Sequence, residues 1–191
     1  MEEYNEYLDN PKLLISPWRS VRLFDNTLIE TVTMGPWYMT PIACIPIICY
    51  FLSCAQSNML ETAIAFCFGM IMWSFFEYSL HRHLFHAERS WLPDHPFLIA
   101  CHFVLNGIHH AYPQDAFRTT FPVLPLVPVL YVTMWTPVRF CTPDYYEDAL
   151  LAGLMAGYMI YEQWHYFTHF GQTSSRFLKT LKKDHMHHHY R

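Results

Sequence analysis

TAIAFCFGMIMWSFFEYSLHRHLFH, residues 62–86, runs for fifteen positions without a charged side chain and then places three histidines within six. An uncharged apolar run of this kind reads as a helix buried in a core or in lipid. Neutral imidazole is the commonest side-chain metal ligand. The segment therefore predicts an apolar helix that delivers metal-binding side chains at its own C-terminal end.

The pattern repeats outward from there. Thirteen of the 191 residues are histidine, and nine fall into four clusters: His81 with His86, His109 with His110, His165 with His169, and His185 with His188 and His189. Spacing of four puts His165 and His169 on one helix face, and the closing His-x-x-His-His gathers three imidazoles within about one turn. A zinc site needs about four ligands, so nine candidates predict two metal ions held by separate parts of the chain. Ligand softness admits iron, zinc, copper or nickel.

Charge placement sets the architecture. Residues 31–60, 62–76 and 119–138 contain no Asp, Glu, Lys or Arg, and residues 149–161 form a shorter fourth run. Thirteen residues reach about 20 Å at helical rise, short of a roughly 30 Å hydrocarbon core; the fourth run crosses only by extending into its flanks. Pro41 and Pro46 predict a kinked first helix, and Pro122, Pro125, Pro128 and Pro137 an irregular or broken third one. Gly153 and Gly157 have the GxxxG spacing of close helix contacts.

The fold class so predicted is all-α: an integral membrane bundle of about four transmembrane helices with a cytosolic histidine-rich two-metal cap. Residues 1–30 form an N-terminal tail and residues 31–191 the membrane domain. Lysine and arginine gather in the tail, in 81–120 and at the C-terminus, leaving only Arg139 opposite. The positive-inside rule then puts both termini and every histidine on the cytosolic side.

Composition narrows the function classes. Hydrophobic content of 52% against 15% charged residues is rich for a soluble globule, although the mean hydropathy of +0.06 shows polar stretches between the runs. With a net charge of -4, the chain has no basic block to track a nucleic-acid backbone, so no nucleic-acid partner is expected. Glu2, Glu3, Glu6 and Asp9 stand where a cleaved secretory signal would be basic. Six cysteines, mostly in apolar runs and never as Cys-x-x-Cys, read as free, buried small hydrophobes. A metal transporter would hold its ligands near the bilayer midplane, whereas these lie outside the apolar runs.

Four segments carry a family likeness: WSFFEYSLHRHLFH (73–86), GIHHAYPQD (107–115), GYMIYEQWHYFTHFG (157–171) and LKKDHMHHHYR (181–191). In order, spacing and flanking residues they resemble the fatty acid 2-hydroxylases of the histidine-rich fatty acid hydroxylase and sterol desaturase superfamily, from about residue 23 to the end. The resemblance implies a multi-pass endoplasmic reticulum protein that uses O2, two metal ions and external electrons. Its reaction is to hydroxylate carbon 2 of a long-chain fatty acid or ceramide for sphingolipid synthesis.

Carried over residue by residue, the family's ligands fall on His81, His86, His109, His110, His165, His169, His185, His188 and His189. His83, His95, His102 and His187 match no ligand position. Three residues before the His109–His110 pair, where the family has a further histidine, this chain has Asn106, whose amide is a poorer transition-metal ligand. The sequence also ends before a glycine- and aromatic-containing segment usual in the family. These departures make a catalytically silent relative the alternative expectation; a sterol or alkyl-lipid oxidase is the alternative within the superfamily.

Iron is the expected functional metal, because zinc cannot change oxidation state, with zinc occupancy expected on purification. Metal-bound histidines usually donate their second ring nitrogen to a carboxylate or carbonyl, and Glu77, Asp115, Glu162 and Asp184 lie near enough in sequence to accept. Glu162 and His165 also spell the Glu-x-x-His of soluble di-iron bundles, which need two copies. Trp73, Phe75, Phe76, Tyr78 and Tyr166 are the expected wall of an acyl-chain site. Many relatives carry a fused cytochrome b5 domain, for which residues 1–30 are too few; a separate cytochrome b5 and its reductase are the expected electron donors.

Overall fold

The computed structural model describes residues 1–190, which fold into helices and connecting turns with no strand. Arg191, counted above with the C-terminal positive charge, lies outside the described residues. Short helices α1 (Glu2–Asp9) and α2 (Thr27–Val32) precede the apolar α3 (Met39–Cys54) and α4 (Met59–Leu80). After α4 come α5 (Pro96–His102) and α6 (Ile108–Ala111), then α7 (Val123–Leu130), α8 (Thr136–Cys141), the long α9 (Asp144–Phe170) and α10 (Arg176–His189).

Helix α4 starts on a capping box: Asn58 accepts from the Leu60 and Glu61 amides while the Glu61 carboxylate accepts from the Asn58 amide. It crosses α9 with the backbones nearly touching. A Cβ at Gly69 would collide with the Leu150 carbonyl, one at Gly153 with the Phe66 carbonyl, and one at Gly157 would lie 2.6 Å from Trp73 Cβ. Small residues are what such a crossing requires. Residue 66 meets 153 and residue 73 meets 157, so the two helices run parallel and their C-termini emerge at the same end. Cys44, Trp73, Leu126, Met134, Leu151, Leu154 and Tyr158 fill the space where α3, α7 and α8 join them.

Met59–Phe85 and Val123–Cys141 are long and apolar enough to cross a membrane. Helix α3 is apolar but has 16 residues, about 24 Å. The fourth apolar run does extend at both ends: α9 has 27 residues, about 40 Å. On α4, Ile64, Phe68, Ile71, Phe75 and Tyr78 follow helical spacing and are all 54–64% exposed. A continuous apolar stripe turned outward is the surface a lipid environment would cover. Phe75 and Tyr78 therefore face away from the bundle and wall no internal site. The cysteines are free, as expected, but only Cys44 is buried.

The proline-rich third segment is irregular, as expected, and is not broken: α7 widens through a π-helical turn at Tyr131–Trp135 and continues as α8. Pro137 cannot donate an amide to the ladder there, and the Thr136 hydroxyl donates to the Tyr131 carbonyl at 2.9 Å. Nor do residues 1–30 hang free as a tail. Helix α1 packs on α6, the Lys12 amide donates to the Ala111 carbonyl and the Ala116 amide to the Pro17 carbonyl. Farther along, Arg118 pairs with Glu30 in a buried ion pair and also donates to the Thr33 carbonyl. Removing one partner of such a pair costs about 3–5 kcal/mol, so the first thirty residues are a strap fastened across the histidine end.

Candidate metal centre

All nine clustered histidines emerge at the end of the bundle where α4 and α9 finish; eight of them form two groups, and His110 lies between. His109, His165, His169, His185 and His189 each present a ring nitrogen within 4.8 Å of the others; His81, His86 and His188 do the same. Both groups contain imidazoles from distant parts of the chain, and each could hold a metal ion.

The first group is built on regular helix. His165 and His169 sit one turn apart on the last turns of α9, and His185 and His189 one turn apart on α10, so each pair points one way. Lys182 fastens α10 to α9 by donating to the carbonyls of His169 and Gly171, at the C-terminal end of α9 where a cation is favoured. His109 arrives from α6. The Nε2 atoms of His109 and His165 lie 3.1 Å apart, those of His169 and His185 2.8 Å, and those of His185 and His189 3.2 Å.

The second group depends on an irregular turn. His81 and His86 are five apart, which on an α-helix would point them about 140° from each other. Here His81–Phe85 is a π-helical turn, closed by the His86 amide donating to the His81 carbonyl at 3.0 Å, and a turn of that width brings positions five apart onto one face. Their Nε2 atoms reach His188 Nε2 at 3.1 and 3.0 Å. His110 lies between the groups: its ring centroid is 4.7 Å from that of His86, 4.9 Å from His188 and 4.4 Å from His189. His110 Nε2 is buried without a hydrogen-bond partner among the described residues.

These spacings suit bound cations. Two nitrogens each about 2.0–2.1 Å from one ion lie about 3.0 Å apart when they subtend a right angle and about 3.4 Å apart at the tetrahedral angle. The observed 2.8–3.2 Å separations are close to those of nitrogens that share one ion. Charge state agrees. Burial and the neighbouring imidazoles hold His109, His110 and His189 well below the ordinary imidazole range, and His185 and His188 are lowered to about 4. Such rings are neutral near pH 7, each with a lone pair free.

The expected carboxylate partners divide. Glu77 lies 3.6 Å from His81 Nδ1. Asp115 bonds no histidine: it is fully buried and accepts from the Ser20 hydroxyl and from the Val21 and Phe117 amides, tying down the N-terminal strap. The Glu162 carboxylate accepts from the Phe121 amide at 3.1 Å, so the Glu-x-x-His spacing does not deliver it to His165. Asp184 is exposed with no side-chain partner among the described residues. Asn106 turns away from the imidazoles, its amide donating to the Phe85 carbonyl at 2.8 Å.

Sequence reasoning missed Glu88 and His102. Glu88, buried, lies 3.0 Å from His86 Nδ1 and 2.8 Å from His102 Nε2. Burial pushes its carboxyl up, but the two imidazoles outweigh that and hold it well below the usual carboxylate range. Its position two residues after a ligand candidate was the available signal.

A cavity of about 600 Å³ opens beside the first group, lined by His81, His109, His165, His189, Phe121 and Glu162 among others. An apolar cavity of about 820 Å³ lies between α3, α7 and α9, lined by Cys44, Phe51, Leu126, Met134, Leu151 and Tyr158 among others. Tyr158, Glu162 and His165 step along successive turns of α9 from one to the other. None of Trp73, Phe75, Phe76, Tyr78 and Tyr166 lines the apolar cavity.

No protein-family model matches the chain. A dihydroceramide fatty acyl 2-hydroxylase of Arabidopsis thaliana is 32% identical over all of this chain and 78% of its own length. The ceramide very long chain fatty acid hydroxylase of Saccharomyces cerevisiae is 37% identical over 90% of this chain, which covers 44% of the yeast protein. The human fatty acid 2-hydroxylase is 32% identical, with 55% of its length covered, so the chain spans about half of these longer relatives. A solved structure described as full-length Scs7p, with only the hydroxylase domain visible, superposes on the whole chain and 80% of its own with a TM-score of 0.82 at 31% identity. Likeness over the full length in both sequence and fold shows that this chain belongs to the fatty acid 2-hydroxylase family.

Proposed function

We propose that the chain is a membrane di-metal oxygenase that hydroxylates carbon 2 of long-chain fatty acyl groups for sphingolipids. The observation that carries this reading is the convergence of nine imidazoles, eight in two groups with His110 between them, at one end of an apolar bundle that also holds an apolar cavity. His109, His165, His169, His185 and His189 would hold one ion, and His81, His86 and His188, with His110 beside them, the other. Bound iron would supply the oxidising power that dioxygen alone lacks toward an unactivated C–H bond.

The protein's own groups define where the reaction occurs. The acyl tail occupies the apolar cavity between α3, α7 and α9, which leaves carbon 2 and the carboxyl or amide head in the cavity beside His109 and His165. Phe121, Pro122 and Tyr161 line the cavity beside the histidines and would restrict water at the reacting carbon. Inserting one oxygen atom and releasing the other as water takes two electrons and two protons from outside. We assign delivery of the electrons to a separate cytochrome b5 and its reductase. In this reading four helices cross the endoplasmic reticulum membrane, with both termini and the metal centre cytosolic.

The test is expression in cells lacking their own 2-hydroxylase, followed by mass spectrometry of sphingolipids. A gain of 2-hydroxy acyl species is expected. No gain from protein carrying both metal ions rejects the assignment and favours a silent lipid-binding relative, the reading that Asn106 at a ligand position supports.

A further inference from the structure

The second histidine group is held from behind by a chain of polar contacts that ends in the N-terminal helix. His86 Nδ1 lies 3.0 Å from Glu88 Oε1. A carboxylate only accepts, so His86 carries its proton on Nδ1 and turns the lone pair of Nε2 toward His188, 3.0 Å away. The other oxygen, Glu88 Oε2, lies 2.8 Å from His102 Nε2. That nitrogen aims its hydrogen at the Phe85 carbonyl, 2.9 Å away, so the approach of Oε2 is a close polar contact at the edge of the ring. With Nε2 protonated, His102 Nδ1 is an acceptor, and the Tyr4 hydroxyl donates to it at 2.7 Å. Both His102 and Glu88 are buried, at 3% and 7% exposure. Arg89 closes the same path from outside, its Nε 3.3 Å from Glu88 Oε1 and its guanidinium paired with Asp9 at the end of α1.

We propose that Glu88 is the positioning residue of the His81, His86 and His188 group, fixing the tautomer and orientation of His86, and that His102 and Tyr4 extend this support to α1. The proposal rests on the reading of that group as a metal site. Geometry distinguishes the two groups in this respect. Four of the five imidazoles of the first group are oriented by the regular helices α9 and α10, whereas His86 sits just past the end of a π-helical turn and follows no regular helix. A buried carboxylate behind His86 supplies the orientation that regular backbone supplies elsewhere.

The experiment compares detergent-purified full-length wild type with Glu88→Ala, Glu88→Gln and Tyr4→Phe. Metal per chain is measured by mass spectrometry after graded chelation, and Co(II) replacement is followed by absorption. Wild type is expected to hold two ions. Glu88→Ala is expected to lose one of them at chelator concentrations about 10- to 100-fold lower, the usual cost of removing an outer partner of a ligating histidine, with the other ion retained. Glu88→Gln, whose amide oxygen still accepts from His86, is expected to recover part of that loss, and its elution as a folded species covers the case in which the alanine variant does not fold. Tyr4→Phe is expected to shift the same ion by a few-fold. Equal retention of both ions in wild type, Glu88→Ala and Glu88→Gln would overturn the proposal while leaving the site intact. Wild type that binds no ion would overturn the metal reading itself.

Discussion

The two histidine groups are built by different means, and the difference separates what a regular helix provides from what must be added to it. In the first, pairs four apart on α9 and α10 face one another across a junction clamped by Lys182, and the imidazoles lie deep beside the cavity lined by His109 and His165. In the second, His81 and His86 share a face only because the backbone widens into a π-helical turn, and the site opens onto a surface cleft lined by Tyr78, Arg82 and Arg89. Regular spacing makes the first group rigid by default. The second lacks that spacing and, on the proposal above, relies on Glu88 behind His86.

The contrast can be broken most severely by removing a ligand candidate. His169→Ala is expected to empty the first group and reduce hydroxylation by more than about a hundredfold, since even outer partners of ligating histidines are worth 10–100-fold. Metal analysis should still find an ion in the second group, and loss of both ions together would show that the groups are one cooperative site.

Next in size is the crossing that sets the groups side by side, because α4 carries His81 and α9 carries His165. Gly153→Leu would drive a side chain into the Phe66 carbonyl, and overpacking of this sort costs about 1–3 kcal/mol. A lower melting temperature in detergent, with reduced metal content in both groups, is expected; an unchanged melting temperature would show that α4 and α9 can separate without penalty.

Acidification tests the groups more gently. Unfolded imidazoles take up protons near the ordinary value of 6.5, while His185 and His188 in the folded chain resist until about 4. As pH falls through that window the unfolded chain binds more protons than the folded one, so the metal-free protein loses stability between pH 6.5 and 4 and regains it as pH rises. Thermal melts of metal-free protein across this range check the sign. The metal-loaded protein should hold its stability farther down, because bound ions compete with protons for the same lone pairs.

The smallest effect is expected at Asn106. The residue lines the cavity beside the first histidine group but donates to the Phe85 carbonyl, so Asn106→His must give up that bond to present an imidazole. A gain in metal retention of less than about tenfold is expected, read by the same chelation series. No gain, together with a lower melting temperature, would show that the amide serves the π-helical turn rather than a ligand position.

Much of this was legible from the residues. The uncharged runs marked the long apolar helices, the GxxxG spacing marked the α4–α9 contact, and the histidine clusters marked the end of the bundle where chemistry would gather. Carboxylates were read less well. Asp115 and Glu162 sit near histidines in sequence, yet their oxygens are taken by amides of the strap and of Phe121. Glu88 and His102 were passed over because their partnership spans fourteen residues and a change of helix direction.

By itself the sequence determined the identity and number of the imidazoles, their regular spacing on α9 and α10, and the apolar lengths that force helices. Those properties are local, governed by periodicity and composition within one segment. Tertiary structure alone decided that eight rings divide into two groups with His110 between them, that a π-helical turn brings His81 and His86 onto one face, and that residues 1–30 reach back to brace them. Each of these depends on hydrogen bonds and packing between segments far apart in the chain, and no local pattern specifies which distant donor a buried acceptor will meet.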